Sequence, residues 1–406
     1  MAAQQAVEPP RLLDDIRFLS DDRLQGRMTG SAGADSAAAY LARRFSQVGL
    51  QPAAGGWFQS FTLDREAPAA RQAHTGDLVG KNVIGILPGR DPVLRNQAVI
   101  LGAHYDHLGL GGFGSLDPDS PGKVHNGADD NASGAAALIQ VAARLAAAPP
   151  ARTVVFIAFS GEELGLVGSA HYVREPIYPL AGTLAMVNLD MVGRLRNGRL
   201  IVYGARSAKE FPALLDSLNW YAGFDLKALG DGYGPSDHSS FYAAKTPVLH
   251  LFTDLHEDYH RTTDDWQKVN YDGLKRVADF TLGLVTALAN RSRPLTFLQM
   301  PAPMPAHASA QTAGIPGYGA YLGTIPDMTG SPGGVRIVGV RAGSPAEKAG
   351  LRGDDIITRI GTIATPDLQA MTDALRTHEP GETVDIVVRR GVGVTTLRAT
   401  LGTRGG

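Results

Sequence analysis

Between residues 80 and 252 the chain repeats one pattern: a short run that is apolar on consecutive residues, then a stretch with helical spacing. The runs are NVIGIL (82–87), AVILGA (98–103), TVVFIAF (153–159), TLAMVNL (183–189), RLIVYGA (199–205) and TPVLHLF (246–252). A strand with one wet face alternates apolar and polar residues, whereas a run without alternation needs cover on both sides. The pattern therefore predicts an α/β domain, a central sheet clad in helices, extending to about residue 292. Upstream, Leu12, Leu13, Ile16 and Leu19 recur at helical spacing. A second helix is expected from about Ala34 to Val48, ending at Gly49.

The charged residues are placed as tellingly as the apolar ones. His104 and Asp106 follow AVILGA, Glu162 and Glu163 follow TVVFIAFSG, Asp190 ends TLAMVNLD, and His260 lies in the loop after TPVLHLF. Open α/β sheets build their sites at the carboxyl ends of strands, so these residues are expected to converge on one crevice. Two His with carboxylates and no thiolate suit zinc, with manganese or cobalt as substitutes. A single catalytic zinc uses about three protein ligands, so a larger set suits two ions sharing one carboxylate. HExxH is absent. There is no cysteine, which excludes disulfides, thiolate ligands and a Cys nucleophile. Net charge is −2 with no long basic run, which argues against nucleic acid. No apolar run reaches 18 residues, so no membrane span is expected.

The segments HYDHLG, GADDNASG, GEELGLVGS, NLDMVGR, PSDHSSF and DYHRTTDD resemble, in order, the motifs of the di-zinc aminopeptidase family, which includes bacterial leucyl aminopeptidases and is related to glutamate carboxypeptidases and glutaminyl cyclases. FLSDDRLQGRMTGS and FSQVGLQP resemble its leader, so the likeness covers about residues 11–290. It implies a zinc exopeptidase fold with a mixed, mostly parallel sheet and helices on both faces. It further implies His104 and Asp190 on one zinc, Glu163 and His260 on the other, and Asp130, rather than Asp129, as the bridge. A cis peptide is implied after Asp130. Glu162 resembles the general base, activating a zinc-bridging water that attacks the peptide carbonyl. Asp106 resembles the acid that orients His104, and Tyr233 a tyrosine that stabilises the oxyanion. The other histidines of the motifs, His107, His125, His238 and His256, are expected to line or support the pocket. The implied activity is removal of N-terminal residues from peptides. A carboxypeptidase or dipeptidase of the same superfamily is the alternative, with Arg194 or Arg261 to hold a carboxylate.

After residue 292 the character changes. Residues 293–314 are rich in Pro and Ala without periodicity and read as a linker. Residues 315–406 are β-rich and Gly-rich, with one helix expected over about Pro366 to Thr377. AGSPAEKAGLRGDDII resembles the PDZ domains fused to bacterial proteases. Tyr321, Leu322, Gly323 and Thr324 stand where such domains receive a peptide carboxylate, and depart from the Gly-Leu-Gly-Phe form. A peptide or protein ligand is therefore expected there, for recruitment or gating. A contrasting expectation is an inactive peptidase-like protein acting only through that domain. The start, MAAQQAVEPP, lacks a basic and an apolar segment. The family resemblance implies a periplasmic or secreted protein whose signal peptide is missing from this chain, with a cytoplasmic one as the alternative.

Overall fold

The computed structural model describes residues 11–63, 78–112, 114–117, 120–230, 232–299, 320–326, 333–340, 343–366, 370–371, 374–375 and 377–402. It divides into two units, Met1–Met300 and Pro301–Gly406. Of the linker expected over 293–314, everything beyond residue 299 lies outside the described residues.

In the first unit the strands are β1 (Gln51–Pro52), β2 (Phe58–Leu63), β3 (Leu78–Leu87), β4 (Ala98–His104), β5 (Thr153–Phe159), β6 (Thr183–Leu189), β7 (Arg199–Tyr203), β8 (Asp225–Leu229) and β9 (Val248–Phe252). They form one sheet in the order β1-β3-β5-β4-β6-β9-β7-β8, with β2 beside β3. The centre, β5-β4-β6-β9, is parallel. β3 and β7 join it antiparallel, so the sheet is mixed.

Consecutive residues of the apolar runs do enter different cores. Val154, Phe156 and Ala158 pack in one with Val99, Leu101, Val187 and residues of the helices Leu12–Leu19, Ala32–Gln47, Gly134–Ala147 and Tyr271–Ala289. Val155, Ile157 and Phe159 pack in the other with Ile100, Met186, Tyr172 and Phe241, the last two from the helices Val167–Arg174 and His238–Ala243. Period-two alternation with apolar residues in both registers thus buries both faces. Every residue of β4, β5, β6 and β9 is buried. The helix expected from Ala34 runs over Ala32–Gln47, because Ser31 accepts the N–H of Ala34 at 3.1 Å and caps it. Gly49, at φ +92°, supplies the left-handed turn that ends it.

The second unit is an antiparallel sheet of β10 (Thr324–Pro326), β11 (Val335–Val340), β12 (Ile356–Ile360), β13 (Ile363–Ala364), β14 (Thr383–Arg390) and β15 (Gly393–Thr400). Its order is β10-β11-β12-β14-β15, with β13 paired to β12. Ile337, Ile357, Ile360, Ile386 and Val388 form its core. Leu322 joins that core, 1% exposed, and its carbonyl accepts the N–H of Ala346. Its side chain therefore belongs to the core rather than to a ligand surface. Tyr321 exchanges both backbone hydrogen bonds with Gly402. Gly323 sits at φ +85°, where a Cβ would stand 2.3 Å from that of Ser344. Of the helix expected over 366–377, residues 370–371 and 374–375 are described and helical; 367–369, 372–373 and 376 lie outside the described residues.

Candidate metal centre

Parallel register sets the first part of the site. The last paired residues of β4 and β6 are Gly102 and Asn188. Two residues further on each strand come His104 and Asp190, side by side, with His104 Nε2 3.4 Å from Asp190 Oδ1. β5 ends level with them, Phe159 being the partner of His104, and Glu162 and Glu163 follow in the next loop. Asn82 steadies that loop from the neighbouring strand, accepting the N–H of Ser160 and donating to the carbonyl of Gly168.

Asp130 comes from a segment, Ala128–Ser133, that enters at Gly127 and departs from helical geometry at Asp130 and Asn131. The Asp130–Asn131 peptide is cis. Gly127 has φ +52°, and a Cβ there would lie 2.1 Å from the Asp130 carbonyl oxygen and 2.5 Å from the His107 ring, so only glycine fits. From this position Asp130 turns one oxygen to each histidine. Its Oδ1 is 3.3 Å from His104 Nε2 and its Oδ2 is 3.2 Å from His260 Nε2. His260 Nε2 is also 3.2 Å from Glu163 Oε2.

The far side of each ring decides what these approaches mean. His260 Nδ1 donates to the carbonyl of Gly114 at 2.9 Å, and His104 Nδ1 to that of Asp106 at 3.2 Å. A carbonyl only accepts, so the proton of each neutral ring sits on Nδ1 and Nε2 presents a lone pair. A lone pair facing two carboxylate oxygens needs a cation between them. Zinc bonded to N and O at about 2.0–2.1 Å in a tetrahedron separates neighbouring ligand atoms by about 3.3 Å. The four Nε2-to-oxygen distances, 3.2 to 3.4 Å, have that spacing. The residues present therefore fit zinc, and Asp130 lies between both histidines. Two ligand-like groups stand out among the described residues: His104 with Glu162 and Asp190, and His107 with Asp130 and Glu163.

The site's electrostatics show the same crowding of acids. Burial pushes the Glu162 carboxyl well above its ordinary value; Glu163 and Asp190 add to this against the opposing pull of His104. Burial would raise Glu163 too, but His260 and a hydrogen bond from His107 overcome it and bring it to about 2. Burial likewise opposes ionisation of Asp130, yet bonds from His104 and His260 hold it well below the carboxylate range. Without a cation His260 rises to about 10, its burial outweighed by Glu163 and Asp130. Adjacent in sequence, Glu162 and Glu163 are thus driven in opposite directions.

Other expected residues take different places. The carboxylate of Asp106 is 3.8 Å from His104 Nδ1; it accepts instead from the N–H groups of Glu162 and Glu163 and from Thr29. Asp106 thus meets the imidazole through its carbonyl and organises the two glutamates with its side chain. His107 Nδ1 donates to Glu163 Oε1 at 2.7 Å, and His256 to Asp129 at 3.1 Å. Tyr233 packs edge-on against Tyr242. Arg194 is bound to Asp258 and Asp264, and Arg261 to Asp117.

Several residues escaped the sequence reading. Arg27, fully buried, donates to the carbonyls of Leu19, Tyr105, Asn126 and Gly127, which joins the leader to the chain just after His104 and just before the Asp130 segment. Ser236 donates to Asp190 Oδ2 at 2.7 Å and accepts from Asn188. The Tyr259 ring stacks on His260 at 3.9 Å. Burial, then Asp130, Glu163, Glu162 and Asp190, push its phenol well above the ordinary tyrosine range. Position beside a ligand was the one available signal for Tyr259, and Ser236 stood in a quoted motif without an assigned role.

Comparison with known proteins bears on the same residues. The model of peptidase family M28 matches residues 82–285, and a PDZ-domain model matches residues 320–401. The chain is 28% identical over 249 residues to aminopeptidase YwaD of Bacillus subtilis (strain 168), covering 59% of this chain and 51% of that protein. It is 31% identical over 195 residues to leupeptin-inactivating enzyme 1 of Streptomyces exfoliatus, covering 47% and 39%. It thus spans about half the length, or less, of these relatives. Among solved structures, a Zn-dependent exopeptidase from Parabacteroides distasonis superposes with TM-score 0.57 at 20% identity, over 70% of this chain and all of that one. BSAP, a zinc aminopeptidase from Bacillus subtilis, gives 0.54 at 18% identity over 72% and 99%. At such identities these likenesses speak for the fold.

Proposed function

Because the chain belongs to peptidase family M28 and carries a C-terminal PDZ domain, we propose that it is a zinc aminopeptidase that removes N-terminal residues from peptides at a two-ion centre. One observation carries the two-ion reading: Asp130 offers its two oxygens to two different histidine nitrogens, each of which faces a second carboxylate. His104, Asp190 and Asp130 would hold one ion, and His260, Glu163 and Asp130 the other. Manganese or cobalt suits the same donors.

Bound zinc would supply a water acidic enough to lose its proton near neutral pH and a Lewis acid for the peptide carbonyl. Glu162 takes that proton and returns it to the leaving amine. Its raised affinity for protons suits it to both steps. Glu163 cannot share this role, since its carboxylate faces His260 Nε2 and would be occupied as a metal ligand. Tyr259, kept protonated beside four carboxylates, offers an O–H to the oxygen that becomes charged; Tyr233 is the other candidate for that place.

The aminopeptidase reading is favoured over carboxypeptidase action because Arg194 and Arg261 already spend their charge on aspartates. Purified protein, with and without chelator, would be given aminoacyl p-nitroanilides and N-blocked dipeptides with free carboxylates. Chelator-sensitive cleavage of the first set alone is expected. Cleavage of only the blocked set overturns the reading, and chelator-resistant turnover overturns the metal chemistry.

We also propose that the PDZ domain takes a peptide or protein strand beside Tyr321–Thr324, by the β-addition usual for such domains. We further propose that the protein acts in the periplasm or medium; the family resemblance supports this, and cell fractionation tests it.

A further inference from the structure

Gly127 precedes the Asp130 segment and has no side chain with which to cap it. The first N–H groups of such a segment need acceptors from elsewhere. A different loop provides them. The carbonyl of Asp264 accepts the N–H of Ala128 at 2.9 Å. Its Oδ2 accepts the N–H of Asp129 at 2.9 Å and that of Asp130 at 3.0 Å. Three consecutive amides thus end on one residue. Asp264 is wholly buried, and its other oxygen is bound by Arg194 at 3.1 Å. It also lies four residues after His260, in the same loop.

We propose that Asp264 is a positioning residue. By capping the Asp130 segment from the loop that carries His260, it sets the distance between two ligands of the same ion. The two ligands arrive on separate stretches of chain, 130 residues apart in sequence (260 − 130), and neither sits on a strand. Arg194 neutralises the capping carboxylate and leaves it free to accept. Asp264 touches neither Asp190 nor His104, so its influence falls most on the ion that takes both Asp130 and His260 and reaches the other only through Asp130.

This inference rests on the two-ion reading, and the test separates them. Zinc binding would be followed by calorimetric titration of the metal-free full chain and its variants. Two ions on the parent chain support the two-ion reading; fewer overturn it and this inference with it. Asp264→Ala is expected to weaken the ion on the His260 side about 10- to 100-fold, the usual cost of losing a ligand's supporting partner, and the other ion distinctly less. Its profile should copy that of His260→Ala, not that of His104→Ala. Asp264→Asn keeps an oxygen for the two amides and should recover most of the loss. Should Asp264→Ala fail to fold, Asp264→Glu, which displaces the carboxylate by one methylene, carries the same expectation. Equal weakening of both ions, no weakening, or an Asn variant no better than Ala overturns the proposal.

Discussion

The two halves of the candidate centre are built on different principles. His104 and Asp190 stand two residues beyond a registered pair of neighbouring parallel strands, and their spacing follows from the sheet. Asp130 and His260 stand on irregular chain, 26 residues past His104 and eight past Phe252 (130 − 104; 260 − 252), and nothing regular sets their spacing. Tethers take the place of register. Gly114 holds the His260 ring, Leu116 donates to the His260 carbonyl, Asp117 binds Arg261 and Thr262, and Asp264 binds the Asp130 segment. A sheet supplies position for His104 and Asp190; Asp130 and His260 depend on polar contacts between distant loops.

The largest expected effect leaves both halves intact. Glu162 lies beside the strand-end pair and is assigned no metal bond, so Glu162→Gln should keep both ions while turnover falls about 10²- to 10⁴-fold. Metal analysis and kinetics on one preparation check this. Loss of an ion would mean that base and ligand had been exchanged. Chelation should next expose the contrast directly. Amides of residues 114–117 and 258–264 should exchange with deuterium roughly tenfold faster, about 1.4 kcal/mol of local stability, while β4 and β6 stay protected. Equal loosening of strands and loops would erase the distinction.

The same contrast explains what could be read in advance. AVILGA and TLAMVNLD are unbroken apolar runs, and burial on both faces sends whatever follows them to the carboxyl edge of the sheet. The position of His104 and Asp190 was therefore legible from local pattern and physics. His260 was legible only as a residue in the loop after TPVLHLF, and Asp130 only through family resemblance, because no periodicity points to either. Their supports stood in quoted segments, but no role could be read for them. Arg27, Thr29 and Asp264 act on partners 77 to 135 residues away, and a single polar residue in a loop carries no mark of such a partner. Asp106 shows the converse. Its place beside His104 was foreseen, but its carboxylate turned to the two glutamate amides, a choice that depends on where a separate loop comes to rest.

A smaller effect probes the strand half. Ser236 donates to the oxygen of Asp190 that faces away from His104. Ser236→Ala removes one buried hydrogen bond to a charged group, about 1.5 kcal/mol, or roughly tenfold in retention of the nearer ion. Chelator competition would read it. If the ion on the His260 side weakened as much, the halves would not be independent.

The smallest effect is electrostatic and belongs to the loop half. In the metal-free chain His260 is raised from 6.5 to about 10, and Glu163 is lowered from 4.5 to about 2. The raised histidine stabilises the fold fully below pH 6.5 and loses that contribution as pH climbs through about 10. The lowered carboxylate stabilises it fully above pH 4.5 and loses that contribution as pH falls through about 2. Both act in full between pH 4.5 and 6.5. The difference in Tm between the parent and His260→Gln, both chelated, should peak in that window and shrink on either side, by a few degrees at most. Zinc reverses the sign on the alkaline side. A ligand histidine must shed its proton, so ion retention grows with pH where the metal-free pairing fades. A metal-free stability difference that instead kept rising above pH 7 would show that His260 is held by its loop tethers alone, and that its acidic neighbours contribute nothing until an ion arrives.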